Sequence, residues 1–172
     1  LPVSWAFSKT RVSRSLLRFA EVEADSAWQF LRAMEILEEP HQRAAMFHDA
    51  LEEMEHAAGF HSLARAYAER PLPLCRDRRE ALLHTPEDLG EFLAYIYEGE
   101  REVYGEFEDY CLAIRREDIR AWLQHIREDE AGHQDTALAT LVEVLGGEDK
   151  LKRLIRQIRW RRQKESLVRL ST

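Results

Sequence analysis

Two segments of the chain carry the same pattern of metal-binding side chains. Glu53-Met54-Glu55-His56 and Glu130-Ala131-Gly132-His133 both read Glu-x-x-His. On a helix, positions i and i+3 are neighbours, so each segment offers a carboxylate and an imidazole to one small volume. Such donors bind divalent metals. Without a thiolate the set suits iron or manganese, with zinc also accommodated. The pattern alone carries little weight, because 23 Glu and 7 His in 172 residues supply about one match by chance. A third instance, Glu38 to His41, is interrupted by Pro40 at an expected helix end.

Two further glutamates raise the weight. Four–three spacing picks out Leu16, Ala20, Glu23, Ala27, Phe30, Met34 and Leu37 in one segment, and Leu93, Tyr97, Glu100, Tyr104, Phe107, Cys111 and Ile114 in another. Each is an apolar seam with one glutamate in its middle. An ionised carboxylate in a core is costly unless it is paired or bound to metal. Together, Glu23, Glu53, Glu100 and Glu130 would balance two divalent cations, with His56 and His133 completing the set. Glu21 and Glu98 form a rival pair. Their seams are more polar, with Leu17, Ala24, Trp28, Leu31 and Glu35 around Glu21, and Ala94, Arg101, Gly105 and Glu108 around Glu98. Glu23 and Glu100 are therefore the pair expected to point inward.

Such residues need long helices to hold them. Gly 7 and Pro 5 are low counts that argue against a strand-and-turn architecture. Periodicity and breakers predict helices over residues 15–39, 41–70, 85–116 and 117–145, with a fifth over 149–170. Pro40 closes the first, Pro71 and Pro73 close the second, and Gly146-Gly147 closes the fourth. Thr85-Pro86-Glu87-Asp88 has the composition of a helix start. Residues 71–85 read as a connection with a short helical turn. Each of the four main helices is about 25–30 residues, or roughly 40 Å, long. The chain also repeats at an offset of 77: Glu23 answers Glu100, Phe30 answers Phe107, His48 answers His125, Glu53 answers Glu130 and His56 answers His133. Two related antiparallel hairpins about a pseudo-twofold axis follow. The expected fold is an all-α four-helix bundle with one crossover, over residues 1–148, plus a basic helix over 149–172. A sheet of three or more strands would contradict it.

This pattern resembles the ferritin-like di-iron carboxylate proteins of the rubrerythrin and bacterioferritin type. That family takes one Glu from each of two helices and a Glu-x-x-His from each of the other two. The matching positions are Glu23, Glu53, His56, Glu100, Glu130 and His133, and the resemblance spans residues 15–145. It implies a ferritin-like fold and two iron ions, with manganese or a mixed pair as the alternative. It also implies bridging, catalytic roles for Glu53 and Glu130, terminal roles for Glu23 and Glu100, and reaction with dioxygen or peroxide. One departure is plain. Rubrerythrins carry a four-cysteine iron domain as electron donor, and Cys75 and Cys111 cannot build one. Electrons would have to come from an external donor.

The remaining composition narrows the surroundings. With 45% hydrophobic and 33% charged residues, the chain can bury a sizeable core and is not disordered. No apolar run approaches the roughly 18 residues that span a bilayer. Leu1-Pro2-Val3-Ser4-Trp5 lacks the basic-then-apolar order of a signal peptide. A reducing cytosol is the expected compartment. Residues 150–172 hold nine cations against Glu165 alone, which leaves the preceding residues with fifteen more acids than bases. An acidic body with a basic tail is not the charge pattern of a nucleic-acid-binding domain. The tail reads as a fifth helix docked on the acidic body, as a contact within a homodimer, or as a membrane-surface segment over residues 150–170.

Other singled-out residues have plain readings. His48 and His125 are polar or supporting histidines. Tyr97 and Tyr104 are aromatic packing, and Cys111 is a small core residue. Glu52 and Asp129 either orient a histidine or are exposed charges.

Three functions are in view. The first is a di-iron oxidoreductase domain that oxidises ferrous iron or reduces peroxide. The second is an oxygenase that hydroxylates an organic substrate and needs an apolar pocket beside the metals. The third is a non-enzymatic iron-sensing or scaffolding domain tethered by its tail.

Overall fold

The computed structural model describes residues 8–72 and 81–170. The chain is all-helical, with no strand among these residues. The elements are α1 (Lys9–Ile36), α2 (Pro40–Tyr67), a 3-10 turn (Pro86–Asp88), α3 (Leu89–Ala113), α4 (Glu117–Leu145) and α5 (Glu148–Leu170). Residues 1–5, Cys75 and the middle of the expected connection lie outside the described residues.

The helix ends follow local chemistry. α1 begins six residues earlier than periodicity suggests, because Ser8 caps it, its Oγ accepting from the Arg11 amide at 3.3 Å. The first turns also contribute a fully buried residue, Val12. Glu39 is held extended before proline, and Pro40 opens α2 as its first residue, so α1 stops at Ile36. Thr85 and Asp88 form a capping box around the 3-10 turn that leads into α3. α3 ends at Ala113, since Ile114 is extended. Gly146, at φ 63°, closes α4 in the left-handed region that favours glycine.

Contacts fix the directions of the four long helices. Ser13 Oγ, at the start of α1, donates to the Ala64 carbonyl near the end of α2 at 2.8 Å, so α1 and α2 are antiparallel. Gly90 at the start of α3 lies beside Leu145 at the end of α4, so those two are antiparallel as well. Phe19 of α1 meets Phe107 and Tyr110 of α3 at 5.6 and 5.8 Å between ring centroids. Tyr67 at the end of α2 donates to Asp118 at the start of α4. The end of α2 therefore lies beside the start of α1, while α3 starts beside the end of α1, where the Leu82 amide donates to the Gln29 side chain. The end of α2 and the start of α3 thus lie at opposite ends of the helices.

Two apolar clusters fill the interior, each drawing on all four long helices. One gathers Val12, Leu16, Phe60, Phe107, Leu123 and Ile126, among others, and the second gathers Phe30, Met46, Leu83, Phe92, Leu93 and Leu141. The candidate ligands lie between these clusters along the helices. Burying each large side chain contributes about 1.5–3 kcal/mol, so the polar level is held from both ends by the hydrophobic effect.

The basic tail is docked. Ile158 of α5 is fully buried in the second cluster, and Leu151, Leu154 and Ile155 pack against it. On the same side, Arg159 makes a two-pronged pair with Glu98, at 2.8 and 3.0 Å, and Arg101 reaches the same carboxylate at 2.9 Å. Arg162 bonds Glu102 and lies over the Tyr95 ring. Burial would raise the Glu98 pKa, but Arg159 and Arg101 hold it below the ordinary range. Replacing Arg159→Ala should cost about 1–2 kcal/mol in urea unfolding. That is less than a fully buried pair would cost, since the Arg159 side chain is half-exposed and Arg101 remains. A variant as stable as the parent would mean that α5 is held by its apolar face alone.

Candidate metal centre

Four helices bring six donors to one level. Glu23 comes from α1, Glu53 and His56 from α2, Glu100 from α3, and Glu130 and His133 from α4. All six are buried, with Glu53 and Glu130 at 0% exposure. The seams explain this placement. Every residue of the α1 seam is buried except Met34, which is half-buried, and on α3 only Tyr97 and Tyr104 are half-buried. A glutamate inside such a seam has nowhere to go but inward.

The rival pair separates. Glu21 is exposed on α1. Glu98 is fully buried, yet it belongs to the Arg101–Arg159 pair and not to the six-residue cluster.

The six residues form two overlapping groups. Glu23, Glu53, His56 and Glu130 each offer one ligand atom within 4.8 Å of the others, and so do Glu53, Glu100, Glu130 and His133. Glu53 and Glu130 belong to both groups. His133 Nδ1 lies 3.0 Å from Glu53 Oε1 and 3.8 Å from Glu130 Oε2, while His56 Nδ1 lies 3.6 Å from Glu130 Oε1. Both oxygens of Glu53 and of Glu130, and Nδ1 of both histidines, lack hydrogen-bond partners among the described residues. Buried polar atoms are normally satisfied, and each orphan costs about 1–3 kcal/mol. Six orphans facing one another fit a metal pair. Their donor chemistry, carboxylate with imidazole and no thiolate, fits iron or manganese.

Burial dominates the electrostatics. It pushes Glu23 up to about 7 and Glu130 up to about 8. It holds Glu53 and Glu100 well above the carboxylate range, with the neighbouring glutamates adding repulsion. His56 is lowered by burial, against the pull of Asp129. Without cations, burial thus favours the protonated carboxyls.

Each histidine is oriented from outside, and the partners cross. His56 Nε2 lies 3.1 Å from Asp129 Oδ2, and His133 Nε2 lies 3.1 Å from Glu52 Oε2. The acid beside each motif thus serves the histidine of the other motif. These bonds place the proton on Nε2 and turn Nδ1 inward as a lone-pair donor. His48 and His125 extend the chain toward solvent, lying 3.1 Å from Glu52 and 3.8 Å from Asp129. Trp122 closes one side against His56, their rings 6.4 Å apart. It rests on Gly59, where any side chain would overlap the indole. Phe30 faces His133 at 6.0 Å.

The other singled-out residues do not join the cluster. Tyr104 lies under the Arg127 guanidinium, 4.7 Å away. Tyr97 packs against the second apolar cluster. Cys111 is a buried core residue whose thiol pKa is raised by burial.

Sequence reasoning passed over Asp49, which is buried with Oδ2 unpartnered. A signal was present, because Asp49, Glu53 and His56 follow the same four–three spacing on α2. Comparisons with protein-family models, curated proteins and solved structures gave no match to this chain. Among the described residues, no helix is long and apolar enough to cross a membrane.

Proposed function

We propose that the chain is a di-iron oxidoreductase domain that reacts with dioxygen or peroxide, built on a ferritin-like four-helix bundle with one crossover. One observation carries the reading. Six buried donor atoms without hydrogen-bond partners face one another in two groups that share Glu53 and Glu130. Those two residues would bridge, with Glu23 and His56 completing one metal and Glu100 and His133 the other. Bound iron supplies the one-electron redox steps that amino-acid side chains lack. The protein's own part is to fix the ligands, to keep both imidazoles facing inward through Asp129 and Glu52, and to exclude bulk water with Phe30 and Trp122. Electrons come from an external donor. Six side chains for two ions leave open positions on each. Open positions separate reactive from structural zinc sites, and the same logic holds for iron.

The oxygenase reading needs a substrate seat beside the metals. The groove of about 370 Å³ between α2 and α4 is lined by Gly59, Ser62, Leu63, Asp118, Ala121 and Trp122. None of the six ligands lines this groove, although Trp122, which does, also packs against His56.

The test is anaerobic titration with ferrous ion, followed by air or peroxide. Two ions should bind per chain, and a near-ultraviolet absorption should grow faster than ferrous ion oxidises in buffer. Tight binding of two ions without accelerated oxidation would favour the sensing or scaffolding reading. Failure to bind would remove the metal reading altogether.

A further inference from the structure

α2 is apolar on two faces. The inward one buries Met46, Ala50, Phe60 and Ala64. The outward one runs through Ala44, Phe47, Leu51, Met54 and Ala58, at alternating spacings of three and four residues, and all five are exposed. Phe47, Leu51 and Met54 keep 45%, 50% and 51% of their surface in solvent. Single exposed hydrophobic residues are ordinary, but a seam at this spacing is how one helix meets another. The internal repeat supplies a comparison. At an offset of 77, α4 presents Ala121, Gln124, Glu128, Ala131 and Asp135, all exposed as well. The same outward face is therefore hydrocarbon in one hairpin and largely polar in the other. Folding the bundle does not require the apolar version, since α4 does without it.

The apolar residues of α5 do not cover this face, because they pack against the second cluster. The seam instead matches itself. Lay a second copy antiparallel, with the twofold axis between Leu51 and Met54. Phe47 then faces Ala58 of the second copy, and Leu51 faces its Met54. A large side chain meets a small one at each end, two large ones meet twice in the middle, and the symmetry repeats every contact. The same register sets His48 beside Glu55 of the second copy, on one flank of the seam. Both residues are exposed, and His48 turns Nδ1 to Glu52 at 3.1 Å, so its other ring nitrogen can donate to Glu55. Phe47, Leu51 and Met54 together expose on the order of 300 Å² of apolar surface, the size at which patches mark interaction sites. Polar flanks bring such a contact only to the low end of specific interfaces, so the pair is reversible.

We propose that two copies of this chain pair through α2, antiparallel, along Ala44, Phe47, Leu51, Met54 and Ala58. The contact needs no metal, so it stands apart from the reading of the six central residues.

The experiment is sedimentation equilibrium of the metal-free chain over a wide concentration range, with helicity checked by circular dichroism. Wild type should pass from a 20.2 kDa monomer to a particle of twice that mass as concentration rises through the micromolar range. Leu51→Glu and Phe47→Gln install the residues that α4 carries at these positions. Each should weaken pairing at least about tenfold and leave the fold intact, since both side chains are exposed. Leu112→Glu, on α3 and 84% exposed, should change nothing. His48→Glu sets two acids together and should weaken pairing, and adding Glu55→Lys in the same chain should restore it. A monomer at every concentration, or a pair that survives Leu51→Glu, overturns the proposal. So does an equal loss in Leu112→Glu, which would show unspecific hydrophobic association. A pair lost in Leu51→Glu and in His48→Glu but not restored by the charge swap overturns the antiparallel register, and the proposal with it.

Discussion

Glu130→Ala and His133→Ala are each expected to abolish fast oxidation of the ferrous-loaded protein. Glu130 belongs to both ligand groups, so its loss removes a donor from each half at once. His133 supplies the only imidazole of its group. Residues that merely orient a ligand typically matter 10–100-fold, so removing a ligand should slow oxidation by more than about 100-fold. Asp129→Asn should give the smaller effect, roughly 10–100-fold, because it weakens the bond that holds His56 without removing a donor. Glu21→Ala is the control, since Glu21 is exposed and outside the cluster. Stopped-flow absorbance after mixing with air measures all four. If the wild type oxidises iron no faster than Glu130→Ala, the residues do not form a reactive centre.

Much of this arrangement was legible because local signals and the global pattern agree. Pro40, the Thr85-Pro86 start and Gly146 each act within a single turn of chain, so they can be read without knowing the neighbours. The choice of Glu23 over Glu21 was legible for a related reason. An apolar seam must face inward, and a glutamate two positions off that seam points elsewhere. The start of α1 was not, because Ser8 and Val12 precede the strongest periodicity and only packing reveals their part.

The illegible features depend on contacts between distant segments. Glu98 sits on a seam that reads as polar, yet it is fully buried because α5 covers that face and brings Arg159 to it. No spacing rule within α3 reports a partner 61 residues away. The crossed pairing of Asp129 with His56 and of Glu52 with His133 is similar. Within one helix, Glu52 stands four residues before His56 and Asp129 four before His133, so spacing alone would pair each acid with its own motif's histidine. Only when α2 and α4 lie antiparallel does each acid reach the histidine opposite. The tail could be read three ways from sequence because its apolar residues show that something is covered and not what covers it. The structure seats them on the second apolar cluster, with the arginines reaching the glutamates of α3.

The metal-free protein should lose stability as pH rises from about 5 to about 8, the reverse of ordinary acid denaturation. The folded state raises Glu23 to about 7 and Glu130 to about 8 from an ordinary value of 4.5, with Glu53 and Glu100 also well above it. Below the ordinary value these groups are protonated in both states, and their contribution is fully present. As pH rises past it, the unfolded chain ionises freely while the folded cluster still holds protons. Stability then falls with pH until the folded groups have ionised too. His56, lowered by burial, acts in the opposite sense near its own titration, as does the lowered Glu98 in acid. The four raised carboxylates outnumber them at neutral pH. Each tenfold change in proton affinity is worth about 1.4 kcal/mol, and the four glutamates titrate together, so a net loss on the order of 3 kcal/mol is expected. For a chain of this size that lowers the melting temperature by about 5–10 °C. Bound metal should invert the trend. Cations stabilise the ionised carboxylates, and protons compete with them as pH falls, so the loaded protein should be least stable in acid. Thermal melts with chelator and with two equivalents of manganese(II), each from about pH 5 to about pH 8.5, test both halves. A metal-free melting temperature that stays level or climbs across that range would mean that the four glutamates ionise as freely when folded as when unfolded. They could not then be gathered in a closed centre.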